Sequence, residues 1–97
     1  MQIVVKEPNR CPEVRNIEGY LDEMQDICGG FIETVFLPNG MLMVVNDFGK
    51  SNDSKYNFDY MDDQIFGTAF FCKADGEEMI GLTKDEQNAV IEFLKGA

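Results

Sequence analysis

The sequence predicts a single α+β domain over residues 1–97, in which a mainly antiparallel sheet packs with two helices. Three observations carry this prediction. Apolar residues recur at helical spacing in two segments, at about 18–28 and 84–95. Several other segments are short runs rich in β-branched and aromatic residues, which is typical of strands. Finally, Asn39-Gly40 lies between two apolar runs and favours a hairpin over residues 31–45.

The chain opens with two predicted strands. Residues 2–6 contain Ile3-Val4-Val5 and stop before Pro8, which favours a strand. After a turn at residues 9–12, polar and apolar side chains alternate over residues 13–17. We therefore expect a short strand that pairs with the first one.

The first helix is predicted over residues 18–28. The residues expected on its buried side fall at helical spacing, with Tyr20 and Ile27 alongside: Ile17, Leu21, Met24 and Cys28. Gly29-Gly30 should end this helix, because glycine accepts the left-handed conformation that a helix C-terminus commonly needs.

The hairpin over residues 31–45 has apolar side chains on both faces. Phe31, Glu33, Val35 and Leu37 share one face of the first strand, and the alternate residues share the other. Two arrangements are consistent with this pattern. Either the hairpin lies centrally in the sheet, or one face packs on a helix and the other meets a partner.

Residues 46–63 are polar, with four aromatic residues interleaved, and we expect a long loop. Loops of this length are uncommon in small domains and are often functional or mobile. Residues 65–72 are predicted to form one buried strand, with Gly67 as a bulge or a point of close contact. A turn at Asp75-Gly76 should lead into a short strand around Met79-Ile80.

The closing helix is predicted over residues 84–95. Thr83 and Glu86 have the spacing of a capping box, in which each side chain bonds to the other residue's backbone N–H. The residues expected on the buried side of this helix are Ala89, Val90, Phe93 and Leu94.

The formal net charge is -10, and residues 17–33 contribute five acids and no base. Such a surface repels phosphate backbones, so we expect no direct binding of nucleic acid. Any charged partner should be basic, although acidity that serves only solubility is the alternative.

No apolar run reaches the roughly 20 residues of a membrane span, and the start does not resemble a signal peptide. We expect a cytoplasmic protein that does not bind membranes.

The sequence predicts neither a metal site nor a catalytic residue. It contains three cysteines and no histidine, which excludes a zinc site of four cysteines or of two cysteines and two histidines. We expect the cysteines to be reduced and mostly buried. Asp47-Phe48-Gly49 matches a kinase tripeptide but lacks every companion motif, and calcium-loop spacing is absent. We therefore predict no cofactor and no enzyme activity.

The whole chain resembles the family catalogued as domain of unknown function 3846. The resemblance is carried by Val5-Lys6-Glu7-Pro8, Pro12-Glu13-Val14 with Ile17, Leu21 to Gln25, Gly29-Gly30-Phe31-Ile32-Glu33, Leu37-Pro38-Asn39-Gly40, Asn46-Asp47-Phe48-Gly49-Lys50, Ile65-Phe66-Gly67-Thr68-Ala69-Phe70, and Leu82-Thr83 to Gln87. The most specific blocks are 29–33, 46–50 and 65–70. After Lys50 the chain departs from the Leu-Pro-x-Asn-Arg-like segment usual in such sequences. The resemblance implies no activity, but it implies a setting on phages, plasmids and conjugative elements, mostly of gut Firmicutes.

The first functional hypothesis is an acidic interaction protein that inhibits a host nucleic-acid-handling defence system, such as CRISPR or restriction. Its partner would be the basic surface of a host protein, such as a nuclease or a CRISPR effector. The residues predicted to bind that partner are Asp22, Glu23, Asp26, Asp59, Asp62 and Asp63. The alternative is a small-ligand-binding domain, in which the aromatic residues of 56–60 line a pocket against the hairpin. An enzyme of unknown type is a third alternative.

Overall fold

A computed structural model describes residues 1–96, which form eight strands and two helices. In chain order these are β1 Gln2–Lys6, β2 Glu13–Asn16, α1 Leu21–Cys28, β3 Ile32–Phe36, β4 Met41–Asn46, β5 Tyr56–Tyr60, β6 Asp63–Phe66, β7 Ala69–Asp75, β8 Glu78–Ile80 and α2 Lys84–Lys95. The predicted α+β class is confirmed.

The main sheet has the strand order β2-β1-β7-β4-β3, and every pair in it is antiparallel. β8 pairs with the second half of β7, beyond the point where β1 leaves it. β5 and β6 pair only with each other and form a separate hairpin. The predicted antiparallel sheet, including the 31–45 hairpin, is therefore confirmed.

The sheet is covered on both faces. Neighbouring residues of a strand point to opposite faces, so Val4 and Phe71 belong to one core layer while Val5 and Phe70 belong to the other. The layer with Val4 also holds side chains of α2 and of the β5–β6 hairpin. The layer with Val5 holds side chains of α1. The molecule therefore has three layers, with the sheet in the middle.

Helix α1 begins three residues later than predicted. Gly19 has a φ of 101° and Tyr20 is extended, so regular helix starts at Leu21. As a result Leu21 is 57% exposed, and its predicted place in the core is wrong. Met24 and Cys28 are buried as expected, and Gly29, with a φ of 81°, ends the helix.

The hairpin turn has the predicted chemistry but a different place in the sheet. Asn39 and Gly40 have φ values of 64° and 75°, the left-handed conformation that these two residue types accept readily. The Leu37 N–H donates to the Met41 carbonyl at 2.8 Å and closes the turn. However, β3 is an edge strand, so a central position holds only for β4.

The loop predicted at 46–63 is wrong in its second half, because residues 56–60 are strand β5. Phe58 is 3% exposed and stacks on Phe71 with ring centroids 6.2 Å apart. The Asn57 amide donates to the carbonyls of Lys6 and Gly67, at 2.8 Å each, and ties the hairpin to the main sheet. The irregular segment is therefore only residues 47–55.

The strand predicted at 65–72 is divided in two at Gly67, which has a φ of 82°. Its N–H donates to the Lys55 carbonyl at 2.7 Å, and Ser54 lies 3.4 Å from where a Cβ would stand. The chain therefore leaves the small hairpin at β6 and enters the main sheet at β7. Close contact at Gly67 is confirmed, and the continuous strand is wrong.

Helix α2 has the predicted bounds and the predicted capping box. The Thr83 hydroxyl accepts from the Glu86 N–H at 3.2 Å, and the Glu86 carboxylate accepts from the Thr83 N–H at 2.9 Å. Val90 and Leu94 are buried. Ala89 and Phe93 face the same side as Val90, where Phe93 contacts Phe71, but both stay partly exposed. In residues 1–96, no helix is long and apolar enough to cross a membrane.

The three cysteines differ in their surroundings. Cys28 and Cys72 are buried and unpaired, and Cys11 is exposed in the turn between β1 and β2. Burial raises the pKa of the Cys28 thiol to about 12 and that of the Cys72 thiol to about 11.

Candidate functional site

The six predicted binding acids fall into two groups on opposite faces of the sheet. The first group lies on α1 and consists of Asp22, Glu23 and Asp26. The second group lies on the β5–β6 hairpin and consists of Asp59, Asp62 and Asp63. One flat partner surface therefore cannot contact both groups at once.

Four of these acids already accept hydrogen bonds within the chain. Asp22 accepts from the Glu23 N–H and Asp59 from the Tyr56 hydroxyl, at 2.9 Å each, and the bonds to Glu23 and Asp63 also shift their pKa values. The Glu23 carboxylate accepts the backbone N–H of Gly19 at 2.8 Å, which lowers the pKa of Glu23 and closes the start of α1. Lys50 donates to the Asp63 carboxylate and lowers the pKa of Asp63. Glu23 therefore stabilises the start of α1. The ammonium group of Lys50 offsets part of the negative charge around Asp63.

An apolar groove lies between α2, the β5–β6 hairpin and the turn of the β3–β4 hairpin. Its volume is about 300 Å³. Its lining is almost entirely apolar and consists of Leu37, Pro38, Met41, Tyr60, Met61, Phe71, Ala89, Val90 and Phe93. The Phe93 ring stands edge-on to those of Tyr60 and Phe71, at centroid distances of 6.1 and 6.5 Å. Met61, in the hairpin turn, is 81% exposed at its rim.

Met61 also borders a polar hollow on the other side of the same turn. The hollow is lined by Lys50, Asp59, Met61, Asp62, Asp63 and Gln64. A cleft of about 190 Å³ follows, which shares Lys50, Asp63 and Gln64 with the hollow and reaches Glu33 of β3. We call the groove, the hollow and the cleft together the hairpin surface. It runs from an apolar end to an acidic one.

Glu33 is the acid of the cleft whose pKa is raised. A hydrogen bond with the Asp47 side chain raises the pKa of Glu33, and the charges of Asp47 and Asp63 add to this effect. Lys50 opposes it. Neighbouring carboxylates disfavour the ionised form of Glu33, and an additional positive charge would offset this effect.

The three sequence blocks that are most specific in the family resemblance meet around Asn46. The Asn46 amide donates to the Cys28 carbonyl at 3.0 Å, and its oxygen accepts the Phe48 N–H at 2.8 Å. A Cβ on Gly30 would stand 3.2 Å from this amide, and one on Gly49 would stand 2.6 Å from the Phe66 carbonyl oxygen. These blocks therefore hold α1, β4 and β6 together beside the cleft.

Sequence reasoning identified the acids of the hairpin surface but missed its apolar residues and Glu33. Met61 has a φ of 54°, and no feature of the sequence predicts a methionine at a left-handed turn position. Phe93 lies at a helical position expected in the core. Tyr60 does face the β3–β4 turn, as the ligand-binding alternative predicts, whereas Tyr56 packs on Phe66 at a centroid distance of 5.9 Å.

The described residues contain no group of three or more potential ligands that could hold a metal ion. No curated protein and no solved structure matches this chain. A family model does match, over residues 1–95. The chain belongs to the family described as Domain of unknown function (DUF3846).

Proposed function

We propose that this protein is an interaction module that binds the basic surface of another protein through the hairpin surface. The observation that carries the proposal is the junction at Met61, where an apolar groove meets a hollow lined by three carboxylates. A partner that fits this junction presents an apolar side chain next to a lysine or an arginine.

The two ends of the hairpin surface have different energetic roles. Met61 and Phe93 are 81% and 42% exposed. Burying a fully exposed side chain of this size contributes about 1.5–3 kcal/mol, so Met61 gains close to this amount and Phe93 less. Solvated carboxylates contribute less to affinity, but they accelerate association with a basic surface and orient the encounter. The groove therefore supplies affinity, and the acids select a basic partner.

The proposed partner is a host protein that handles nucleic acid in a defence system, such as a CRISPR effector or a restriction enzyme. Two arguments support this choice: the net charge of -10 suits a basic nucleic-acid groove, and the family resemblance implies a mobile-element setting. The protein would act as an inhibitor by covering the nucleic-acid groove of its partner. A cytoplasmic location belongs to the proposal, and no catalysis, cofactor, membrane or direct nucleic-acid contact is part of it.

Two matched double variants test the proposal. Asp59→Asn with Asp62→Asn, and Asp22→Asn with Asp26→Asn, each remove two of the chain's negative charges, on opposite faces of the sheet. In cells carrying a CRISPR or restriction system, we expect the wild-type protein to raise phage plating efficiency. The first variant should lose most of this effect, and the second should keep it.

Binding to the purified effector separates the two variants further. The association rate should fall as salt is raised, and the Asp59–Asp62 variant should show a lower rate with a flatter salt dependence. Equal association rates for the two variants at two salt concentrations would contradict the assignment of the site. No inhibition by the wild-type protein in any system tested would contradict the choice of partner.

The groove supports a second candidate function, the binding of a small apolar ligand. Its volume of about 300 Å³ falls at the lower end of ligand pockets, and Tyr60 offers one polar group among apolar side chains. A thermal-shift screen of small amphiphiles tests this alternative. A hit that loses its effect in Phe93→Ala and keeps it in the Asp59–Asp62 variant would favour it.

A further inference from the structure

The outer edge of β3 is open. β3 stands at one end of the sheet, with β4 as its neighbour on the inner side. Among the described residues, no hydrogen bond outside the β3–β4 ladder involves the backbone groups of Ile32, Thr34 or Phe36. The alternation of that ladder shows whether these groups point towards β4 or away from the sheet.

The alternation of the ladder assigns the outward groups. The Asp47 N–H donates to the Phe31 carbonyl and the Leu37 N–H to the Met41 carbonyl, each at 2.8 Å, so Phe31 and Leu37 face β4. In an antiparallel pair every second residue bonds to the neighbouring strand. Glu33 and Val35 therefore also bond to β4. The N–H and C=O groups of Ile32, Thr34 and Phe36 point away from the sheet, ready to pair with another strand.

The two faces of β3 differ in chemistry. On the side of α1, the edge presents Ile32, Thr34 and Phe36, and Phe36 is 77% exposed. On the side of the β5–β6 hairpin, Glu33 is exposed, and the Asp47 carboxylate beside it raises its pKa. A strand that fits this edge has apolar side chains on one face and positive charge on the other.

The opposite edge of the sheet lacks these properties. β2 has four residues, and Arg15 in its middle forms ion pairs with Glu7 and Glu13. Short strands and charged residues are how native proteins block unwanted strand pairing. β3 has five residues and contains no lysine, no proline and no bulge, and its one charged residue, Glu33, lies on the side of the β5–β6 hairpin. Its edge is therefore the one suited to strand addition.

A second copy of this chain suits the edge poorly. Antiparallel self-pairing centred on Thr34 would set the two Glu33 residues on neighbouring diagonal positions, roughly 7–8 Å apart. Each Glu33 already lies beside Asp47, and each chain carries a net charge of -10. Charge complementarity favours a basic strand instead.

We propose that β3 binds an extended segment of a partner protein by strand addition, and that this segment alternates basic residues, which face Glu33 and Asp47, with apolar residues, which face Phe36. In the added ladder, Glu33 belongs to a pair without hydrogen bonds, where opposing side chains come closest. A lysine or an arginine opposite Glu33 therefore meets its carboxylate directly. Backbone hydrogen bonds supply affinity and the alternating side chains supply selectivity.

A synthetic peptide tests this site on the full chain. The probe is an acetylated, amidated heptapeptide with lysine at its second, fourth and sixth positions and valine or threonine between them. We expect its binding to slow hydrogen exchange at the amides of Ile32, Thr34 and Phe36 by roughly tenfold or more. A peptide with glutamate in place of lysine should not do so. Nor should the lysine peptide with N-methylated valine and threonine amides, which cannot donate to the edge.

Thr34→Pro removes the central outward N–H and leaves the bonds to β4 intact, because proline is tolerated where the N–H faces solvent. It should abolish peptide binding, whereas Thr34→Val should retain it. Glu33→Lys should weaken binding by about tenfold through charge reversal. If Thr34→Pro fails to fold, the N-methylated peptide makes the same test on the wild-type protein.

The results separate this proposal from the proposed function. Asp59→Asn with Asp62→Asn lies outside β3 and should leave the amide protection in place, even if it abolishes binding of a protein partner. Protection at β5 and β6 instead of β3, or equal binding of the N-methylated peptide, would overturn strand addition. A dimer in solution that Thr34→Pro dissociates would overturn the choice of occupant.

Discussion

The two groups of predicted binding acids, three on α1 and three on the β5–β6 hairpin, lie on opposite faces of the central sheet and differ in what surrounds them. Helix α1 covers one face, and its acids Asp22 and Asp26 stand exposed on its solvent side, near the exposed side chains of Tyr20 and Leu21. On the other face, α2 and the β5–β6 hairpin leave a groove between them. We therefore expect the partner to bind where acids border this apolar groove, and not at the acids of α1.

The largest expected change in stability comes from disrupting the packing of the β5–β6 hairpin on the main sheet. Phe58→Ala removes the ring that stacks on Phe71 and should lower the free energy of unfolding by about 3–5 kcal/mol, as for other buried aromatic residues. Urea unfolding measures this loss. A change below about 1 kcal/mol would mean that the hairpin layer is not part of the cooperative fold.

The next effect compares the starts of the two helices. Thr83→Ala removes the hydroxyl that caps α2 and should lower the free energy of unfolding by about 0.5–2 kcal/mol. Tyr20, the residue before α1, forms no side-chain cap hydrogen bond, so Tyr20→Ala serves as the control and should cost less. Equal losses measured by urea unfolding would contradict the capping role of Thr83.

Glu86 makes the stability of the α2 face depend on pH. Lys73 and the Thr83 N–H lower the pKa of Glu86. The unfolded carboxyl has a pKa of about 4.3, so the ionised form stabilises the fold above that pH. This stabilisation is lost as the pH falls through the lower pKa of the folded state. Glu86→Gln should therefore flatten the loss of stability between about pH 6 and pH 3. Glu77→Gln, in an exposed turn, controls for the loss of a charge, and an unchanged slope in Glu86→Gln would contradict this linkage.

The smallest expected change in stability concerns the exposed acids of α1 and of the β5–β6 hairpin. Both double variants, Asp22→Asn with Asp26→Asn and Asp59→Asn with Asp62→Asn, should change the free energy of unfolding by less than about 0.5 kcal/mol, because the four side chains are exposed. Their stabilities should be similar while their binding differs. A large loss in either variant would show that its acids serve the fold.

Local signals in the sequence predicted the parts of the fold that depend on few residues. Asn39-Gly40 predicted a turn with two positive φ values, and Thr83 with Glu86 predicted a capping box. β5 was missed because only Phe58 in it is buried. Its strand conformation depends on Phe71 and on the carbonyls that Asn57 binds, which lie far away in sequence.

The candidate site was harder to predict than the fold for the same reason. The acids of the β5–β6 hairpin were identified because charge is visible in the sequence. The groove was not, because helical spacing shows that Ala89 and Phe93 share a side with Val90 but not what lies above them. The groove depends on where the β5–β6 hairpin places Tyr60 and Met61. No short stretch of the sequence indicates where this hairpin packs.

The contrast among the three cysteines makes the native chain convenient for labelling. Burial and raised pKa values keep Cys28 and Cys72 as protonated thiols near neutral pH, and thiolates are the species that react with maleimides. Cys11 is exposed in the turn between β1 and β2, at the strand pair farthest from β3 in the sheet order. A fluorophore attached at this single position would report binding at β3 or at the hairpin surface without a substitution and without occupying either surface.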